Sequence, residues 1–196
     1  MLVELGVHHG VSYTSFCEAV RRNKLNTRCF GIDTWQGDEH AGFYGEEVFL
    51  EFEEFHKRQY STFSTLIRST FDAALADFEN SSIDLIHIDG RHTYEQVSHD
   101  FETWSVKLSN RAIVLFHDTQ ERKSGFGVWQ FWDEVRTKWP SFEFKHEHGL
   151  GVLAFGSEPP KDLLWLFENS LSEEQADRIR SRFQLIGEAI YTQHRS

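Results

Sequence analysis

One stretch decides how the rest of the chain can be arranged: Ile83–Tyr94, Ile-Asp-Leu-Ile-His-Ile-Asp-Gly-Arg-His-Thr-Tyr. Its first half is short, apolar and β-branched and follows a Glu-Asn-Ser-Ser turn, so it reads as a buried strand. Asp89 falls where that strand should end, and Gly90 lets the chain swing away. Tyr94, Val97, Phe101, Trp104 and Leu108 then recur at spacings of three and four, the stripe of a helix. Strand, acid, short loop with His92 and helix make one unit of an open parallel sheet. In such a sheet Asp89 and His92 lie at the carboxyl edge, where ligands bind. Ala112–Asp118 repeats the arrangement, an apolar run ending in His117-Asp118-Thr119. Two carboxylates closing neighbouring strands repel unless a cation or a proton sits between them, so the placement serves chemistry better than stability.

A chain of 196 residues is most simply one domain, and its 18 Phe and 6 Trp are ample for a core. The 31 acids against 20 bases leave a formal net charge of −11, which disfavours nucleic-acid partners and anionic membranes. No apolar run is long enough to span a membrane, and no signal-peptide pattern opens the chain. Cys17 and Cys29 stand alone in regions that read as core, which fits a reducing compartment and no disulfide framework. A cytoplasmic protein is the expectation.

Met1–Leu5 reads as a strand, and a central one, so the chain is expected to be a minimal version of its fold or a piece of a longer protein. Glu4–Ser12 forms a turn around Gly6 and Gly10, and Thr14–Arg22 the helix after it, whose first N–H groups face any anion held there. The glycine spacing is not that of the dinucleotide fingerprint, which speaks against a nicotinamide-dependent dehydrogenase. Arg28–Asp33 is the second strand, and Asp33 at its end can take the hydroxyls of a ribose or simply cap a turn. Thr34–Gly45, with Trp35, Asp38, His40 and Tyr44, is too aromatic for a plain connector and reads as a lid or substrate wall. Glu46–Gln59 is helical with Phe49, Phe52 and Phe55 expected inward. Phe63–Ser69 is a third strand, Phe71–Phe78 a short helix, and Val128–Trp139 a helix stopped by Pro140. Ser141–His146 and Gly149–Phe155 form a closing hairpin. Two helical stretches, Asp162–Asn169 and Ser172–Thr192, pack on the domain or on a partner, so a homo-oligomer is open. The order implies an α/β three-layer sandwich, residues 1–158, followed by a helical extension, residues 159–196.

Val3-Glu4-Leu5-Gly6…Gly10…Ser12, Gly31-Ile32-Asp33-Thr34-Trp35…Gly37-Asp38, His87-Ile88-Asp89-Gly90-Arg91-His92-Thr93-Tyr94 and Phe116-His117-Asp118-Thr119 together resemble a known family. The chain looks like a class I S-adenosylmethionine-dependent methyltransferase of the bacterial branch that holds macrocin-type sugar O-methyltransferases and cephalosporin-hydroxylase-like proteins. The resemblance covers roughly Leu2 to Phe155. It implies a Rossmann-like fold with a mostly parallel seven-stranded sheet ending in an antiparallel hairpin. It also implies a cofactor site at Glu4, Gly6, Gly10, Ser12, Asp33, Thr34 and Asp89. In the metal-dependent sugar methyltransferases an acid after strand four and an acidic pair after strand five hold Mg²⁺, and a histidine three residues past the first acid is the base. Carried over, these are Asp89, the pair His117 and Asp118, and His92. His117 stands where those enzymes have Glu, so it either steps back from the metal or marks a softer ion such as Mn²⁺. Adjacent strand residues face opposite ways, so His117 and Asp118 share a site only if the strand has already ended.

The resemblance implies methyl transfer to a hydroxyl of a sugar or glycosylated small molecule. A catechol-type O-methyltransferase and a non-catalytic module of a glycan-assembly protein are the alternatives. Trp35, Tyr44, Trp129 and Trp132 are candidate platforms for a sugar ring. Of the remaining histidines, His87 reads as a core residue, His8 and His9 as pocket and turn residues, and His99, His146 and His148 as surface.

Overall fold

The computed structural model describes residues 1–38 and 42–193. His40 lies outside the described residues, as does the side chain of Asp38. The strands are β1 (Leu2–Leu5), β2 (Cys29–Asp33), β3 (Gly37–Asp38), β4 (Gly42–Phe43), β5 (Ser64–Arg68), β6 (Ile83–Ile88), β7 (Leu108–His117), β8 (Ser141–Phe144) and β9 (Leu150–Ala154). The helices are α1 (Val11–Arg22), α2 (Glu46–Gln59), α3 (Phe71–Ala74), α4 (Tyr94–Ser105), α5 (Val128–Val135), α6 (Leu164–Asn169) and α7 (Glu173–Gln193). The seven-stranded sheet runs β5-β2-β1-β6-β7-β9-β8. Its strands are parallel from β5 to β7, and β9 and β8 close it as an antiparallel pair. This is the Rossmann-like sandwich with a late hairpin that the sequence implies.

Both faces of the sheet are covered, which is why its central strands are apolar on both sides. Val97, Phe101 and Trp104 of α4 and Phe131, Trp132 and Val135 of α5 bury one face together with Ile83, Ile86 and Phe116. Tyr13, Cys17 and Val20 of α1 and Val48 and Phe52 of α2 bury the other beside β1 and β2. Leu166, Phe167 and Ala176 of α6 and α7 cover Ile113, Phe142 and Val152. The C-terminal helices therefore complete the layer over the hairpin, while Trp165 and Leu171 early in the extension and Leu185, Ile186 and Ile190 at its far end stay exposed. Among the described residues no helix is long and apolar enough to cross a membrane.

Three expectations need correction. Phe55 is exposed, and α2 instead buries Val48, Phe52 and His56, spaced by four. A run at spacing three drifts off a 3.6-residue face. His56 is drawn in by its 2.7 Å hydrogen bond to Ser64 Oγ, which also meets the Tyr13 hydroxyl at 2.6 Å. Trp35 and Trp132 are sealed in the core at 1% and 2% exposure and offer no platform to a sugar. The aromatic loop is not wholly irregular either, since β3 and β4 pair within it.

Gly6 marks where the sheet leaves no room. Its φ is +90°, and a Cβ there would land on the carbonyl oxygen of Asp89. Gly6→Ala should therefore lower stability by about 2 kcal/mol or more, from left-handed strain plus a displaced β6 end. Urea unfolding of the two proteins checks this.

Candidate active site

The carboxyl ends of β1, β2 and β6 meet in a cleft of about 1090 Å³. Asp89 N–H donates to Leu5 O at 2.9 Å, and Gly6 N–H to Ile32 O at 2.9 Å, so the three strand ends are joined by backbone. Asp33 shapes the loop that follows Gly6. Its Oδ2 accepts from the N–H groups of Val7 (2.8 Å) and His8 (2.9 Å), and its Oδ1 from that of Trp35 (2.8 Å). The Trp35 indole donates to His8 O at 2.9 Å and locks the same loop from the other side. Gly6, Ser12, Asp33, Thr34 and Asp89 all line the cleft. His8 and His9 line it too, with Tyr44 packed on the His8 ring at 4.8 Å. Gly10 lies behind the wall, where its φ of +78° starts α1 with no side-chain cap.

Glu4 is elsewhere. It is fully buried beneath the loop, does not line the cleft, and its Oε1 accepts from His87 Nδ1 at 2.6 Å. Burial raises its pKa above the ordinary value, with His87 opposing.

At the β6 end of the cleft, where Asp89 and His92 line it, His117 and Asp118 approach them from the end of β7 without lining the cleft themselves. One ligand atom each from Asp89, His92 and His117 lie within 4.8 Å of one another. His117 Nδ1 is 3.1 Å from Asp89 Oδ1 and 2.9 Å from Asp118 Oδ1. His92 Nε2 is 3.0 Å from Asp118 Oδ2 and 3.5 Å from Asp89 Oδ1. The strand geometry that could have separated His117 from Asp118 is resolved at one residue. β7 ends at His117, and Asp118 takes φ +61°, a left-handed turn that Asp tolerates, which brings its carboxylate back to the same side. Burial works against charge on His117, but its contacts with Asp118 and Asp89 prevail and push the imidazole up to about 10. Burial likewise opposes ionisation of Asp89, yet His117 and His92 hold it well below the usual carboxylate range. His92 is fixed by ring stacking on Phe126 at 4.9 Å and by its carbonyl, which accepts from Gly127 N–H at 2.7 Å.

The other end of the cleft escaped the sequence reading. Thr70, Phe71 and Asp72 reach it from the β5 side, and Gln96, His99 and Asp100 from α4. His99 and Asp72 pair across it at 2.8 Å. Asp100 is 4% exposed, and burial pushes its carboxyl up to about 7. A signal was available: Asp100 sits in the buried stripe of α4 with Val97, Phe101 and Trp104, where an apolar residue is the norm. Of the expected platforms, Trp129 is half-buried with the Arg122 guanidinium 4.6 Å over its ring.

Comparison with known proteins gives the family and the fold. Residues 3–119 match the family described as a methyltransferase domain. The chain belongs to that family. A curated relative, the uncharacterized protein y4gI of Sinorhizobium fredii, is 50% identical over 188 residues, 96% of this chain but only 21% of its own length. The O-methyltransferase TomG of Streptomyces achromogenes, solved in complex with SAM, superposes with a TM-score of 0.56 at 14% identity, over 79% of this chain and 73% of that one. The SAH-bound methyltransferase PaMTH1 of Podospora anserina does so with 0.55 at 15% identity, over 78% and 70%. At such identities the solved structures speak for the fold alone.

Asp100 gives a pH-dependent expectation. Its folded pKa near 7 lies above the ordinary value of 3.8, so the native state holds an extra proton between those limits and stability falls as pH rises through them. Asp72 and His99 are the charged neighbours that modulate it. Asp100→Asn should match the wild type near pH 4 and melt higher than it at pH 8. Melting curves at the two pH values decide.

Proposed function

We propose that the domain methylates a hydroxyl of a sugar or glycosylated small molecule, using S-adenosylmethionine, a divalent cation held by Asp89, Asp118 and His117, and His92 as the base. The observation that carries this reading is the convergence of these side chains beside the Gly6 loop. The residues fit a cation: Asp89, His92 and His117 bring one ligand atom each within 4.8 Å of one another, and Asp118 Oδ1 lies 2.9 Å from His117 Nδ1. A mixed oxygen and nitrogen set suits Mn²⁺ better than Mg²⁺, which prefers oxygen alone. A cation there would lower the pKa of an acceptor hydroxyl.

The chain's own residues would do the rest. The loop from Gly6 to Ser12 would hold the amino-acid end of the cofactor, and Asp33, whose oxygens already order that loop, would face the ribose. His92 would take the hydroxyl proton as the oxygen attacks the methyl group in line, with Asp118 stabilising the resulting imidazolium. Phe126 and Gly127 keep its ring from turning away. The sugar class is supported by the motif resemblance around Asp89 and Asp118.

Two outcomes test the reading. Methyl transfer from labelled cofactor to a panel of nucleotide-sugars and glycans should be lost with a chelator and restored by Mn²⁺ or Mg²⁺. His92→Ala should keep metal affinity and slow transfer by about 10²–10⁴-fold. Transfer that ignores the chelator would remove the cation from the mechanism. Asp33→Ala should weaken S-adenosylhomocysteine binding by roughly 1.5–3 kcal/mol, the worth of a charge-assisted bond, and also lower the melting temperature because three backbone N–H groups lose their acceptor. Calorimetry alongside a melt separates the two effects.

A further inference from the structure

We propose that Glu4 and His87 are positioning residues for His117, a buried carboxylate–imidazole pair that holds the His117 ring in the plane where its Nδ1 meets Asp89 and Asp118. The inference rests on the cation reading above.

β1 and β6 lie side by side in register, and their pairs are Leu2 with Leu85, Val3 with Ile86, Glu4 with His87, and Leu5 with Ile88. One polar pair thus interrupts an otherwise apolar ladder in the middle of the sheet. Both partners are buried, at 0% and 3% exposure. Stability is a poor reason for such a pair, because apolar residues of similar volume usually do as well. The Glu4 carboxyl is held by His87 and approached by the Ser12 hydroxyl, so it is tied to both the β6 side and the start of α1.

The pair does have a direction. His87 registers with Leu115 on β7, and His117 is two residues further along the same face. The rings of His87 and His117 meet edge to face, 6.0 Å apart at 89°. Phe16 of α1 closes on His87 from another side, at 5.6 Å and 68°. The 2.6 Å bond from Nδ1 to Glu4 Oε1 fixes the remaining freedom of the His87 ring. His117 needs such a wall: it ends a strand, and its side chain is 37% exposed. Without a fixed neighbour it could turn to solvent and carry Nδ1 away from both carboxylates. Groups hydrogen-bonded to a metal-binding histidine typically change metal affinity 10–100-fold when removed, and the His87 ring, which meets His117 by packing alone, is expected at the lower end of that range.

The experiment measures Mn²⁺ affinity by electron paramagnetic resonance and thermal stability on the full chain. Glu4→Leu/His87→Leu makes this position like its apolar neighbours. It should melt no lower than the wild type yet bind Mn²⁺ at least tenfold more weakly. Glu4→Gln, whose side-chain oxygen can still accept from Nδ1, should stay within threefold of the wild type. Unchanged Mn²⁺ affinity in the folded double variant, or equal loss in Glu4→Gln, would overturn the positioning role while leaving the cation site standing. A wild-type protein that binds no Mn²⁺ would overturn both.

Discussion

The ends of β1 and β6 touch through their backbones at Gly6 and Asp89, and the cleft depends on that contact. Only a residue without a side chain permits it, since a Cβ on Gly6 would occupy the carbonyl oxygen of Asp89. The approach sets the distance between the glycine loop after β1 and the carboxylate of Asp89. Asp33 then fixes the shape of the loop by collecting three backbone N–H groups on one carboxylate. The loop after β1 and the end of β6 are therefore held rigidly where they adjoin.

Electrostatics at the β6–β7 end follow from the same geometry. Asp89 and Asp118 are close enough to repel, and two imidazoles lie between them. A proton on His117 can balance the acids, and a cation there would serve the same balance while leaving the imidazole as a ligand. Behind the cluster, the polar column of Glu4 and His87 runs from the α1 side of the sheet to the His117 ring. That column lies where every neighbouring strand position is apolar.

The fold carries no chemistry on its own. The chemistry is decided by the side chains at the strand ends, and at the β6–β7 end these are two Asp and two His.

Much of this was legible in the residues. Strand runs that end in Asp89 and in His117-Asp118 are local patterns, and a parallel sheet must bring their ends to one edge. The sequence by itself determined the sheet, its late hairpin and the acids at its rim, because strand periodicity and chain order depend on neighbours along the chain. It did not reveal that Asp118 would turn left-handed and rejoin His117, nor that α2 would bury His56 in place of Phe55. It also left Glu4 apparently beside the cofactor, when its carboxylate in fact faces His87. Those outcomes belong to the tertiary structure, because each is decided by a partner distant in sequence: Asp89 for His117, Ser64 for His56 and His87 for Glu4. Side-chain direction is set by what packing leaves to bond, and packing is known only when the layers have closed.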